Sequence, residues 1–270
     1  MSNLQQLIRM HLNQKKPSLN SFIDALIRFL ALTAGKDKCA KTLQYAAKFI
    51  GYYALKQQQQ QQQCTTTTTT TPPLVNKWKT TESSISAARR FWRLGNILAD
   101  HQKLLQMLAS FTRKYKEVNY QLTLIRQVVN YMYFIMDQFT WSTSMGLTSF
   151  NTDKMSHYCN ICWFTALICS ITLDIRELMT VRQKEHELLQ LQAADQQVSG
   201  ADLPFDTELE TLQQKRNDLY LNFVKNGADT MVAAFSLNFY KTSQGKIGMY
   251  GLLSALLGIY QTWPATSSSK

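Results

Sequence analysis

Three side chains invite a metal or redox reading: His157, Cys159 and Cys162, a histidine two residues ahead of a Cys-x-x-Cys pair. Thiolates and an imidazole at that spacing can contribute to a four-ligand tetrahedral zinc site or poise a dithiol for disulfide exchange. Their setting opposes both. They lie in MSHYCNICWFTALICSITL (155–173), which holds no Asp, Glu, Lys or Arg and reads as an apolar helix rather than a ligand-bearing loop. The four histidines, His11, His101, His157 and His186, form no i, i+4 pair. No glycine-rich phosphate loop or nucleophile elbow occurs. Glu185 and Glu187 belong to a solvated helix face. Gly248, Gly251 and Gly258 fall in an apolar run, where helix packing explains them better than a nucleotide does. The chain is expected to be no enzyme, with no catalytic residues, no metal and no cofactor.

The chemistry that stands out is electrostatic and interfacial. Residues 85–111, ISAARRFWRLGNILADHQKLLQMLASF, sort on a helix into an apolar and a basic face. At 100° per residue, Ala87, Leu94, Gly95, Leu98, His101 and Leu105 fall within about 80° of Phe91. Arg89, Arg93, Asn96, Asp100 and Lys103 fall opposite, with Arg90 and Trp92 at the borders. Such a helix either packs its apolar face on a protein core or lies on a membrane. Three arginines in five residues favour the membrane, at roughly 1 kcal/mol each near an anionic leaflet. Insertion of Phe91, Leu94 and Leu98 adds about 1.5–3 kcal/mol per side chain before the cost of ordering. Arg89, Arg90, Phe91, Trp92, Arg93, Leu94 and Leu98 are therefore the expected membrane-binding residues, and an anionic lipid surface the expected partner.

The elements that must position these residues are helical throughout. Of 270 residues, 45% are hydrophobic and 17% charged, which suits either a large core or membrane helices. Residues 1–173 hold 20 Lys and Arg against 7 Asp and Glu, and residues 174–246 hold 8 against 11. The first half alone thus calls for an anionic partner. Five scattered cysteines lack the spacing of a secreted disulfide scaffold, and the first residues lack a signal-peptide pattern.

The expected fold class is all-α, a multi-helix membrane protein with amphipathic surface helices and about two hydrophobic membrane helices. Residues 1–56 form a helical hairpin, its first helix ending at Gly35 and its second running from about Asp37 to Lys56. Residues 57–76, with seven glutamines and seven threonines, read as a disordered insert. A basic amphipathic region follows at 77–121, its helix beginning within 77–86. Membrane-associated helices occupy 122–181; Arg126, Asn130 and Asp137 make 122–150 a poor lone span, whereas 155–173 just meets the length of a bilayer crossing. Polar helices at 182–246 precede a carboxyl-terminal membrane helix at 247–264 and a tail at 265–270. Gly248, Gly251 and Gly258 would let helix backbones approach closely, including those of a second copy in a homo-oligomer.

Four blocks together resemble the peroxisomal biogenesis factor 11 (peroxin 11) family: FLALTAGKDKCAKTLQYAAKFI (29–50), SAARRFWRLGNIL (86–98), YMYFIMDQFTWSTSMGL (131–147) with WFTALICSITLDIREL (163–178), and GLLSALLGIYQTW (251–263). The insert at 57–71 and the polar Ser142–Ser144 depart from the family pattern. The resemblance implies a peroxisomal membrane protein with cytosolic termini that curves and elongates the membrane before fission and engages dynamin-related fission machinery. It also implies a second role, as a membrane pore or metabolite conduit, for which Arg126, Asn130 and Asp137 are the candidate lining residues. Nucleic-acid binding has little support, because the arginines share a helix with a strongly apolar face and no binding motif accompanies them.

Overall fold

A computed structural model of the chain describes residues 19–62, 73–195 and 205–267. Helices α1 (Leu19–Ala31) and α2 (Thr33–Gln62) form the first corner. The chain turns at Leu32, so Gly35 does not stop α1 but sits in the first turn of α2. A Cβ on Gly35 would come 1.9 Å from the Phe29 carbonyl oxygen, and only glycine allows that approach. α2 continues past Lys56 through six residues of the expected insert, as glutamine is a good helix former. Residues 63–72 of the insert lie outside the described residues.

Helix α3 (Pro73–Trp92) begins before the expected 77–86 window, with proline at the first helical position, where its missing N–H costs nothing. The single helix expected across 85–111 is broken. A 3₁₀ turn, Arg93–Gly95, separates α3 from α4 (Asn96–Ala109), and a one-turn helix α5 (Phe111–Lys114) follows. Gly95 is the weak helix former at the junction. Helix α6 (Val118–Ser144) ends in a turn where Gly146 has φ 75°.

Asn151 then caps α7 (Thr152–Asp195), its Oδ1 accepting from the Lys154 N–H at 3.0 Å. At 44 residues α7 is about 66 Å long and crosses the expected boundary at 181/182 without a break. Helices α8 (Phe205–Ser236) and α9 (Gln244–Ser267) complete the described chain.

Six of these helices close on themselves. α2 packs on α3, α3 on α6, α6 on α7, α7 on α8, α8 on α9, and α9 returns to α2. α1 rests against α2 and α9, and α4 against α6. The bundle buries polar side chains among its apolar ones and leaves large apolar side chains exposed, unlike a soluble protein. Lys41, Gln127, Asp137, Thr140 and Ser254 are buried, while Met132, Phe139, Ile161, Ile168, Phe223 and Leu253 are exposed.

Helix α7 is the one helix among the described residues long and apolar enough to cross a membrane. Only 22% of its most apolar window is buried inside the bundle, whereas a soluble core helix would be mostly covered. The second span expected at 247–264 does not meet the same measure. α9 carries Ser254 and the glycines inward, and these lower its hydropathy.

Candidate functional site

The face sorting of residues 85–111 survives the 3₁₀ turn, with a definite orientation. Phe91, Leu94, Gly95, Leu98, His101 and Leu105 all lie on the exposed side, Leu98 at 75%. Arg89, Arg93, Asn96 and Asp100 turn toward the bundle, and only Lys103 of the basic set is exposed. Trp92 is half-buried between them. α4 has no buried residue. The three arginines expected at lipid headgroups are thus engaged with protein carboxylates, because the bundle interior offers Asp37 and Asp137 at the matching height.

Those pairs are close. Arg89 donates from Nε to Asp37 Oδ1 at 2.9 Å, from Nη2 to Asp37 Oδ2 at 3.3 Å and from Nη1 to Gln44 Oε1 at 2.7 Å. Burial alone would raise the Asp37 carboxyl, but Arg89, together with Arg93 and Lys38, holds it below the usual carboxylate range. Asp137 takes two guanidiniums, Arg90 Nε at 3.3 Å from Oδ1 and Arg93 Nη2 at 2.7 Å from Oδ2. The Arg93 contact is a charge contact out of line for a hydrogen bond, since Oδ2 accepts none. Arg93 Nη1 donates to the Tyr133 hydroxyl at 2.7 Å. Across the bundle, Lys41 Nζ donates to both oxygens of Asp229, at 2.7 and 2.9 Å, and to Ser254 Oγ at 2.8 Å.

Ser254 aside, these groups wall a cavity of about 390 Å³ between α2, α3, α6, α7 and α8. Each helix presents it with a stripe at helical spacing: Asp37, Lys41 and Tyr45 from α2, Ser86, Arg89 and Arg90 from α3, Asn130, Tyr133 and Asp137 from α6. Of the three expected conduit residues, Asn130 and Asp137 line the cavity and Arg126 does not. Asp37, Lys41, Asp229 and Ser254 were not singled out from sequence. Their signal was there: Asp229 is the lone charge between Lys225 and Lys241, in an apolar stretch, and Asp37 and Lys41 stand four apart on one face.

Cys159 is buried, its thiol directed at the Tyr133 carbonyl at 3.8 Å. Among the described residues no three His, Cys, Asp or Glu side chains group to hold a metal. The glycine stripe of α9 is used within the chain. A Cβ on Gly248 would lie 2.9 Å from the Phe49 backbone nitrogen, on Gly251 2.2 Å from Tyr45 Cδ1, and on Gly258 3.0 Å from Lys38 Cδ. That face is occupied by α2, so it is not open to a second copy.

Comparison with known proteins completes the site. The peroxisomal biogenesis factor 11 (PEX11) family profile matches residues 23–263. The chain is 36% identical over 263 residues to the peroxisomal membrane protein 11 homolog of Dictyostelium discoideum, covering 92% of this chain and 97% of that one. It is 27% identical to peroxisomal membrane protein 11A of Bos taurus, over 88% of this chain and 95% of the relative. Against peroxisomal biogenesis factor 11 of Schizosaccharomyces pombe the identity is 24%, over 88% of this chain and 93% of the relative. No solved structure matches. The chain belongs to the peroxisomal biogenesis factor 11 family, and membership makes it a peroxisomal membrane protein of peroxisome biogenesis.

Proposed function

We propose that this protein curves and elongates the peroxisomal membrane and so promotes peroxisome fission. The observation that carries the reading is the outward apolar edge Phe91, Leu94 and Leu98, continued by Leu105 and Leu108 on a helix with no buried residue. An apolar edge wedged into one leaflet spreads headgroups more than tails. Arg89, Arg90 and Arg93 serve this indirectly, by fixing the inner face of α3 so that the apolar edge must point outward. α7, over residues 155–173, anchors the bundle. Cytosolic termini, self-association and engagement of dynamin-related fission machinery belong to the same proposal and rest on the family resemblance.

The test is reconstitution of the full chain with anionic vesicles, imaged by electron microscopy. Elongated vesicles are expected with the unaltered chain and round ones with Phe91→Asp plus Leu98→Asp. No deformation by the unaltered chain, or equal deformation by the double variant, sinks the reading.

The polar cavity favours a second reading, a solute conduit, since Asn130 and Asp137 line it. Flux from loaded vesicles separates the two: a conduit leaks small solutes at a rate that Asn130→Leu reduces, whereas a bending protein deforms vesicles without that leak.

A further inference from the structure

The charges around the cavity do not balance. Lys38, Lys41, Arg89, Arg90 and Arg93 supply five positive charges, and Asp37, Asp137 and Asp229 three negative ones, leaving an excess of two. Two pairs are saturated: Lys41 by Asp229 and Ser254, and Arg89 by Asp37 and Gln44. The excess therefore falls on the other three cations. Arg90 and Arg93 share the single carboxylate of Asp137. Lys38 has no carboxylate within ion-pair distance among the described residues. Arg93 Nε–H is buried and donates to nothing. An excess of half-buried cations around one cavity draws a counter-charge, and the sign excludes a metal cation.

We propose that this cavity binds a small oxyanion of the phosphate class, held by Lys38, Arg90 and Arg93 with the hydroxyls of Ser86, Tyr133 and Ser156. Guanidinium forks match phosphate oxygens. Tyr133 already accepts from Arg93, which leaves its own O–H to donate, and burial pushes its ionisation above the ordinary tyrosine range so that the proton stays. Ser86, Asn96, Ser156 and Asn160 line the cavity and are partly exposed, which gives the anion a way in. The volume of about 390 Å³ lies at the small end of the roughly 300–1,000 Å³ typical of small-molecule sites, room for a phosphate ester or a lipid phosphate headgroup as well as the bare ion. Binding here requires neither solute passage nor membrane bending, so it stands or falls apart from both readings above.

The full chain in detergent is dialysed to equilibrium against radiolabelled inorganic phosphate, with short-chain phosphatidic acid as competitor. Saturable binding near one phosphate per chain is expected, weakened about tenfold by Arg90→Gln or Lys38→Gln and unchanged by Lys103→Gln on the exposed face. Phosphate binding assigns the free anion as ligand; displacement of a labelled phosphatidic acid without phosphate binding assigns the lipid headgroup. If neither probe binds saturably, or if Lys38→Gln binds as well as the unaltered chain, the proposal is overturned. Lys38→Gln decides the matter even where Arg90→Gln fails to fold, because Lys38 holds no ion pair that folding needs.

Discussion

Arg89→Gln distinguishes an arginine that holds the bundle from one that holds a membrane. Arg89 makes three hydrogen bonds to Asp37 and Gln44, and the two charged side chains retain only 11% and 16% of their exposure. Removing the guanidinium leaves the Asp37 carboxylate without its partner in a poorly solvated place. Breaking a buried pair from one side costs about 3–5 kcal/mol, and the residual exposure argues for the lower figure, about 3 kcal/mol. For a chain of this size that is a fall in Tm of roughly 6–12 °C. The assay is thermal unfolding of the full chain in detergent, followed by helical circular dichroism. Lys48→Gln is the comparison, because its bridge to Glu82 is about a quarter exposed on both sides and contributes less than about 1 kcal/mol.

The pH dependence gives a second handle on the same pair. Asp37 has its folded carboxyl held below the unfolded value, so its contribution is present above about pH 4 and is lost as pH falls through the folded value. The gap between the unaltered chain and Arg89→Gln should therefore narrow on acidification. A variant with unchanged Tm and weakened vesicle binding would refute the reasoning and return Arg89 to the lipid surface.

Other perturbations separate the inner and outer surfaces. Leu98→Asp, at a side chain 75% exposed, should leave stability within about 0.5 kcal/mol of the unaltered chain yet reduce flotation with anionic vesicles, because the proposed wedge needs that side chain and the bundle does not. Gly251→Ala should lower stability by about 1–3 kcal/mol in the same unfolding assay, since its Cβ would meet Tyr45 at 2.2 Å. Asp229→Ala should cost about 3–5 kcal/mol by orphaning buried Lys41, and Asp229→Ala with Lys41→Met should recover part of that loss. Cys159→Ser should leave unfolding unaffected by chelators, because the thiol faces the Tyr133 carbonyl rather than a metal.

The helices themselves were legible because their signal is local. Periodicity located the elements, and the wheel around Phe91 separates exposed Phe91, Leu94, Leu98 and Leu105 from inward Arg89, Arg93, Asn96 and Asp100, with Lys103 the exception. Direction was not legible. A wheel states which side chains share a face and says nothing of what that face meets, so the cluster of three arginines favoured phosphate where the fold supplies carboxylate. The carboxylates that decide it, Asp37 and Asp137, lie 52 and 44 positions or more from their partners. The glycine stripe of α9 was ambiguous for the same reason: close approach is written in Gly248 and Gly251, while the approaching partner, Tyr45 and Phe49 of α2, is some 200 residues away. Helix ends were set by details the pattern smooths over, such as the Phe29 carbonyl at Gly35 and the proline opening α3.

The inward ion pairs tie the wedge to the interior. In a free amphipathic helix, basic residues flank the apolar face and bind headgroups, so its orientation depends on the lipid. Here α3 presents Phe91 outward because Arg89 and Arg90 are tied inward on the facing side, and the 3₁₀ turn carries Arg93 the same way while leaving Leu94 outside. Orientation is then a property of the fold and persists on a membrane of any charge. It follows that vesicle deformation should depend on Asp37 and Asp137, which touch no lipid, and should survive replacement of anionic by zwitterionic lipid better than binding of an isolated peptide of residues 79–111 does. If deformation by the full chain falls with lipid charge as steeply as peptide binding does, the inner ion pairs are not what aims the wedge.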